Sequence, residues 1–436
     1  MPPVFKCLSL LLLLLINCSH ALRACTSDEL CISEQRCNET DDSGRGQLGP
    51  RILDRICGVG LVCCDKEQLE SFEASLKSTQ ATAATLGLDF KTDYESCAVQ
   101  KLCVPRHLCR TGVVNIDGRY IIKPRIDQMS NNGCGIFESC CPTADQLDES
   151  QSPLLRHLQD FQYKGCGYSN PKGLYYDLVG YDNHEARYAE YPWMVAVVDM
   201  QDNYVCGGTL IHPQLVLTSA HNVGNHSSDS LLARAGEYDL NSRREPHAPQ
   251  TRGLRSLWRH QLFNKLNFHN DIALLVLQKP FELGPHIQPL CLPPVETSLV
   301  LGNLRGAHCF AIGWGDVAGR NKSMERILKR IDLPVLEHQH CQRLLRHTIL
   351  GQRFQLHGSF LCAGGIEGKD TCQGDGGSPL FCSLPGQANR YHLAGIVSWG
   401  IECAEKDIPA AYTNVPHLRS WIDDQAARVG FKLEEP

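Results

Sequence analysis

The chain has 436 residues, 42% of them hydrophobic, and a formal net charge of −6. That length accommodates one large domain and smaller ones, each around an ordinary apolar core. The slightly acidic balance leaves no basic footprint for nucleic acid, which excludes that class of partner.

The first segment in chain order is a targeting signal. Lys6 precedes an apolar run from Leu8 to Ile16, and Ser19-His20-Ala21 completes a small-x-small cleavage pattern, so residues 1–21 are predicted to be a signal peptide. The run is roughly half of the ~20 apolar residues a membrane span takes, and no later stretch qualifies. A soluble, secreted chain with no membrane partner is expected. Cysteine usage agrees: 23 in all, less Cys7 and Cys18 in the signal, leaves 21. That density in an exported chain implies disulfides. No Cys-x-x-Cys pair occurs, which removes structural zinc, and no metal is assigned. Asn38, Asn225 and Asn321 each open an Asn-x-Ser/Thr triplet and are glycosylation candidates in that compartment.

The next segment is a repeat. Cys25, Cys31, Cys37, Cys57, Cys63 and Cys64 recur as Cys97, Cys103, Cys109, Cys134, Cys140 and Cys141, with steps of 6, 6, a long gap, 6 and 1 in both sets and only the gap differing, 20 against 25. Six cysteines admit many connectivities, and adjacent ones are geometrically poor partners for each other. Units this small cannot build an adequate core without staples, and losing one native bridge costs ~2–5 kcal/mol. The pattern resembles the clip domain of arthropod extracellular proteases, present twice, at 22–64 and 97–141. The resemblance implies first-to-fifth, second-to-fourth and third-to-sixth pairing. The implied bonds are Cys25–Cys63, Cys31–Cys57 and Cys37–Cys64, then Cys97–Cys140, Cys103–Cys134 and Cys109–Cys141. By the same resemblance the units are protein-binding modules; the alternative is a pair of structural spacers. Residues 65–96, rich in Ser, Thr and Ala, read as a linker, and a second linker at 142–177 carries Cys166.

From about residue 166 short β-branched or alternating runs lie between Gly/Pro/Asn turns, among them Met194–Val198, Leu215–Thr218 and Ile272–Leu277. This texture predicts an all-β sandwich or barrel. Only the tail, Pro416–Val429, is predicted helical, from the spacing of Leu418, Trp421, Ile422 and Val429.

Three motifs of this domain appear in the order histidine, aspartate, nucleophile. They are Leu217-Thr-Ser-Ala-His221, His269-Asn-Asp271-Ile-Ala-Leu, and Cys372-Gln-Gly-Asp-Gly-Gly-Ser-Pro-Leu380. With Cys206-Gly-Gly-Thr-Leu-Ile211, Gly313-Trp-Gly315 and Ser398-Trp-Gly400, they make the region from Cys166 onward resemble the trypsin- and chymotrypsin-like serine proteases. The resemblance implies a double six-stranded β-barrel with a C-terminal helix over 178–436. Family enzymes have Gly-Asp-Ser-Gly-Gly-Pro where this chain has Gly374-Asp375-Gly376-Gly377-Ser378-Pro379, which puts Gly376 at the nucleophile position. His221 oriented by Asp271 is then a base with no hydroxyl to deprotonate, and such a loss costs on the order of a million-fold in turnover. Ser378 stands two residues away, up to ~6–7 Å along the chain, too far for attack that needs atoms within about 3–3.5 Å.

The family's activating cut frees an amino terminus that pairs with the aspartate at the position of Asp375. Here the expected start falls at Gly180 in Leu178-Val-Gly-Tyr-Asp182, with no Arg or Lys before it. Together these departures resemble the non-catalytic clip-domain serine protease homologues, including masquerade-like cofactors of prophenoloxidase activation. Gly374 and Asp375 become remnants of the oxyanion and zymogen apparatus. Asp370 corresponds to the base of the primary specificity pocket, with Ser398, Gly400 and Ala410 around it; it either holds a basic side chain or is an internally paired carboxylate.

The resemblance further implies Cys166–Cys291, Cys309–Cys382, Cys341–Cys362 and Cys372–Cys403. Cys206 is left unpaired, because Asn222 stands where its usual partner would be. Gly236-Glu237 with Glu245 resembles the family's calcium loop but offers only two or three carboxylates. An upstream clip protease is expected to cut after Arg125, in the long gap of the second repeat. The resulting expectation is a secreted adaptor or cofactor in a haemolymph-like fluid, acting on other proteins of a protease cascade. An active endopeptidase and a microbe-binding adhesion protein are the alternatives.

Overall fold

The computed structural model describes the backbone of residues 29–33 and 61–65, and residues 94, 96–110, 134–135, 137–148, 152, 154, 158, 160–175, 184–241, 245–316 and 327–434. The chain divides into two units, Met1–Asp93 and Tyr94–Pro436. The signal segment, residues 66–93 and 95 of the 65–96 linker, the side chains of the first cysteine set, Asn38, Arg125 and Asn321 lie outside the described residues.

In the first unit β1 (Glu29–Ser33) pairs antiparallel with β2 (Leu61–Asp65), with Leu30 opposite Cys64 and Cys31 opposite Cys63. In the second unit β3 (Ser96–Ala98), β4 (Lys101–Pro105) and β5 (Glu138–Pro142) form a three-stranded sheet, with Leu102 opposite Cys141 and Cys103 opposite Cys140. The two repeats therefore share one strand register, position for position. Cys97–Cys140, Cys103–Cys134 and Cys109–Cys141 staple the second of them.

This small sheet is docked on the large domain. Phe137, 2% exposed, packs its ring 5.0 Å from Tyr188 and 5.6 Å from Tyr238 and belongs to the same core as the first barrel. Downstream, Cys166 is bonded to Cys291. Gly167 lies so close to Tyr391 that any Cβ would overlap the Tyr391 carbonyl, and its φ of +79° is one that glycine alone adopts without strain. The segment there is tied down by Gly167 N–H to Pro289 O (2.8 Å) and Leu174 N–H to Tyr188 O (2.9 Å).

The large domain is all-β and chymotrypsin-like. β6 (Met194–Asp199), β7 (Tyr204–His212), β8 (Leu215–Thr218), β9 (Leu231–Ala235), β10 (Gln250–Arg259) and β11 (Ala273–Leu277) close a six-stranded barrel in the order β10-β11-β8-β7-β6-β9. β8 and β11 are buried along their whole lengths, which is why they read as continuous apolar runs instead of alternating ones.

The second barrel is assembled differently from a closed six. β12 (Cys309–Gly313), β13 (Lys329–Asp332), β14 (Val335–Leu336), β15 (Phe360–Gly364), β16 (Pro379–Ser383), β17 (Tyr391–Trp399) and β18 (Pro409–Asn414) make a seven-stranded sheet, order β13-β12-β16-β17-β18-β15-β14. Its two end strands are consecutive in sequence. The break falls at Leu333-Pro334, where proline has no N–H for the ladder. Leu333 still donates to Cys309 O (3.0 Å) and Pro334 O still accepts from Gly364 N–H (3.0 Å), so the interrupted strand joins both edges.

The tail forms a helix over Val415–Arg428, capped by the Asn414 side chain and packed through Leu418, Ile422 and Ala426. The expectation of a single helix is corrected by two others, α1 (Ser298–Gly306) and α2 (His338–Arg346). α1 carries Gly302 at its middle and fully buries only Leu304; α2 is mostly polar and buries Cys341 and Leu345. α1 has no broad apolar stripe, and α2 is amphipathic but short: Cys341, Leu344 and Leu345 mark barely one turn of a nine-residue helix. Both helices form because Thr297 and Glu337 cap their first turns and the Cys341–Cys362 bond anchors α2.

Phe137 tests the docking. Phe137→Ala removes the ring shared by the small sheet and the barrel, and is expected to destabilise the Tyr94–Pro436 unit by ~3 kcal/mol. Thermal unfolding should show a lower Tm, and limited proteolysis should cut faster near residues 142–160.

Candidate functional site

The site begins at the end of β8. Thr218 donates its hydroxyl to Gly207 O (2.7 Å), and the buried Ser219-Ala220 lead the chain out to His221, whose side chain is about a quarter exposed. The His221 amide donates to Asp271 Oδ1 (2.8 Å), and Nδ1 lies 2.6 Å from Asp271 Oδ2. Asp271 is fully buried two residues before β11 and also accepts the Ser398 hydroxyl (2.6 Å). Three donors on one carboxylate compensate for its desolvation. With Nδ1–H committed to Asp271, Nε2 is the ring's free basic nitrogen. Phe268 packs edge-on, 5.1 Å from the imidazole.

His221 opens on a cavity of about 500 Å³ whose wall includes Asn222, Gly374, Gly376, Ser398, Gly400 and Ala410. The Cys372–Cys403 bond ties together the two loops that line it. Two hydroxyls belong to the lining, and both are engaged: Ser398 on Asp271, Thr371 with the Tyr412 hydroxyl at 2.9 Å. Gly376 contributes only backbone, and its carbonyl accepts from Gly207 N–H at 2.9 Å. A Cβ built there would lie 2.5 Å from Asn222 Oδ1, which the Ser219 hydroxyl holds at 2.5 Å. Asn222 thus leans into the space a side chain at 376 would need. Ser378 is fully buried, packs against Gly207 and does not line the cavity.

Asp375 is 2% exposed, and it accepts from Gly315 N–H (2.7 Å) and Cys372 N–H (2.9 Å). Burial pushes its carboxyl above the usual carboxylate range; the Lys329 ammonium and these two amides oppose that rise. Asp370 does not line the cavity. It is 5% exposed, accepts from Thr371 N–H (2.8 Å) and Ala404 N–H (3.3 Å), and burial raises it to about 7. Of the residues grouped around the pocket in sequence, Ser398, Gly400 and Ala410 reach the cavity and Asp370 stands behind its wall.

Cys206 is a buried free thiol 3.4 Å from Thr218 Oγ1, and burial pushes it up to about 12. Cys309–Cys382 crosses the adjacent strands β12 and β16. Asn225 is exposed. Glu237 and Glu245 are buried together. Burial raises both carboxyls; Glu237 pushes Glu245 up further, to about 9, whereas the hydrogen bond from Glu245 and the Arg234 charge oppose the rise at Glu237. Arg234 reaches Glu237 Oε2 at 3.4 Å. Among the described residues of that loop, Glu237 and Glu245 supply two carboxylates, against the six to eight oxygens calcium takes.

Sequence reasoning missed Lys329 and the use of Asn222. The signal for the first was a lysine opening a strand that faces the core; for the second, a polar residue directly after His221.

Comparison with known proteins gives a consistent picture. The Trypsin family model matches residues 181–422, and the model described as Serine protease Clip domain PPAF-2 matches residues 91–142. Phenoloxidase-activating factor 2 of Galleria mellonella is 42% identical over 62% of this chain and 92% of its own length. Two proteins of Anopheles gambiae named inactive CLIP domain-containing serine proteases, A8 and A28, are 37% and 34% identical over 74% and 76% of this chain, covering 87% and 91% of their own lengths. With a histidine–aspartate pair at a two-barrel cleft, a stapled clip sheet and these relatives, the chain belongs to the clip-domain branch of the trypsin family.

Proposed function

We propose that this protein is a secreted, non-catalytic serine protease homologue that acts as an adaptor or cofactor in an extracellular protease cascade of the phenoloxidase-activating type. The observation that carries the reading is the cavity beside His221, where a base and its carboxylate face glycine at 376 and both lining hydroxyls are already bonded. Acyl transfer requires a nucleophilic atom within reach of that base. The names of the relatives support the same reading, in both their phenoloxidase-activating and their inactive members. Among the described residues no helix is long and apolar enough to cross a membrane. Export rests on the signal segment, and binding to other proteins rests on the clip units, the first at 22–64 included.

Regulation by an upstream clip protease fits the position of Arg125. It lies between Cys109 and Cys134, so Cys97–Cys140, Cys103–Cys134 and Cys109–Cys141 all span a cut there and hold the fragments together.

Two experiments test this reading. A fluorophosphonate probe should leave the native chain unlabelled before and after cleavage by a clip protease; labelling would return the endopeptidase reading. Gly376→Ser should gain labelling only when Asn222→Ala is added, because Asn222 fills the space beside position 376. In a reconstituted phenoloxidase assay the cleaved protein should raise output several-fold without adding amidase activity, whereas an adhesion protein would change nothing.

The buried carboxyl at 370 gives a pH signature. Its folded pKa, raised to about 7, exceeds the unfolded value, so the folded state holds a proton that the unfolded chain has lost. Stability from this group is full below about pH 4 and falls as pH rises towards 7, a loss of about 2–4 kcal/mol. Asp370→Asn should flatten that part of the Tm profile. If the cavity takes a basic side chain, benzamidine should bind more tightly at pH 8 than at pH 6, and the variant should abolish the difference.

A further inference from the structure

The Asp375 carboxylate lies over two glycines of the second barrel. A Cβ on Gly313 or on Gly315 would overlap it, and Gly315 donates its amide to it. Gly313 stands directly opposite Lys329 in the β12–β13 pair. Residues directly opposite in an antiparallel pair project from the same face, with side-chain positions about 4.5–5.5 Å apart. The Lys329 stem therefore rises on the face where the Asp375 carboxylate sits. Lys329 is 4% exposed and its Nζ makes no hydrogen bond. A buried ammonium without hydrogen bonds is tolerated only beside negative charge. Two further carboxylates neighbour the pair, Glu185 through a backbone bridge to Lys329 and Asp316 next to Gly315.

We propose that Lys329 is a positioning residue: its ammonium is the built-in counter-charge of Asp375, and it holds the 372–378 turn in its ordered form in the uncut chain. Asp375 is the clamp of that turn, since its carboxylate binds Cys372 N–H on one side and Gly315 N–H on the other. Gly374 and Gly376, the residues on either side of it, form part of the cavity wall. A cation carried on β13 needs no proteolysis to appear. The cavity is then formed from the moment of folding, and cleavage in the clip region governs only what the rest of the chain can reach. This last consequence rests on reading the cavity as a recognition site; the role of Lys329 in the turn does not.

The test uses the full-length uncut protein with Lys329→Met, Lys329→Ala, Asp375→Asn and the double variant Lys329→Met/Asp375→Asn. Hydrogen exchange at residues 372–378 is the primary readout. Lys329→Met should speed exchange there by about tenfold or more while the first barrel stays protected, because one buried charge has lost its partner. Millimolar ethylammonium, which fits the space left by Lys329→Ala, should restore protection. The double variant, which removes both charges, should be more protected than either single variant. If Lys329→Met does not fold, recovery of folding in the double variant carries the same information.

Unchanged exchange in Lys329→Met, or strictly additive effects in the double variant, overturns the proposal. Benzamidine titration separates the two readings. Exchange that responds to Lys329 while the native chain binds no benzamidine leaves the positioning role standing and removes the basic-ligand reading of the cavity. Weaker benzamidine binding in Lys329→Met, with faster exchange, supports both.

Discussion

The buried carboxylate of Asp271 is the constraint on which the rest of this architecture depends. It enters from the first barrel, receives the amide and imidazole of His221 from that barrel, and receives the Ser398 hydroxyl from β17 of the second. Its own carbonyl accepts the Thr413 hydroxyl of β18 at 2.7 Å. An anion at zero exposure is tolerable only when donors surround it, and here the donors come from both barrels. The two halves are therefore registered against each other by an electrostatic requirement, one that remains whether or not the cleft performs chemistry.

That requirement holds the two-barrel framework together whatever side chain position 376 carries. Gly376 lends only backbone to the cleft, and the donors on Asp271 come from His221 and Ser398, so that carboxylate is satisfied without it. The neighbouring glycines are held by packing. A Cβ on Gly377, which has φ +81°, would overlap Thr218 Oγ1 and the Gly207 carbonyl, and a Cβ on Gly207 would overlap Ser378. The turn is thus specified by close backbone approach, independently of catalysis. Asn222 adds a second departure, because restoring a side chain at 376 requires this amide to turn away from Ser219.

Much of the fold was legible because its signals are local. The stapled repeat shows in cysteine spacing alone, and the strands around β8 and β11 show as short apolar runs between turns. The ordered His221, Asp271 and Gly376 motifs placed the cleft before any geometry was known. What escaped depended on tertiary context. α1 buries too few residues to produce a periodic stripe, α2 shows its Cys341, Leu344 and Leu345 stripe over barely one turn, and both caps are single side chains. The split strand at Leu333-Pro334 looks like one strand or two depending on what lies beside it. Lys329 reads as an ordinary surface charge until the strand register places it opposite Gly313. Phe137 sits between two stapling cysteines, and only docking shows that its ring serves the barrel instead of its own small sheet.

Cys206 carries a consequence for how this protein is made and lost. The thiolate is the species that attacks disulfides, and a thiol pushed up to about 12 by burial supplies almost none of it at neutral pH. While the first barrel is closed, the odd sulfur is chemically silent among bonded neighbours. Once heat or denaturant opens that barrel, the same sulfur regains ordinary acidity and can shuffle the staples into non-native pairs. Opening of the first barrel is therefore what gives this sulfur any reactivity, so its chemistry is gated by how often that barrel opens.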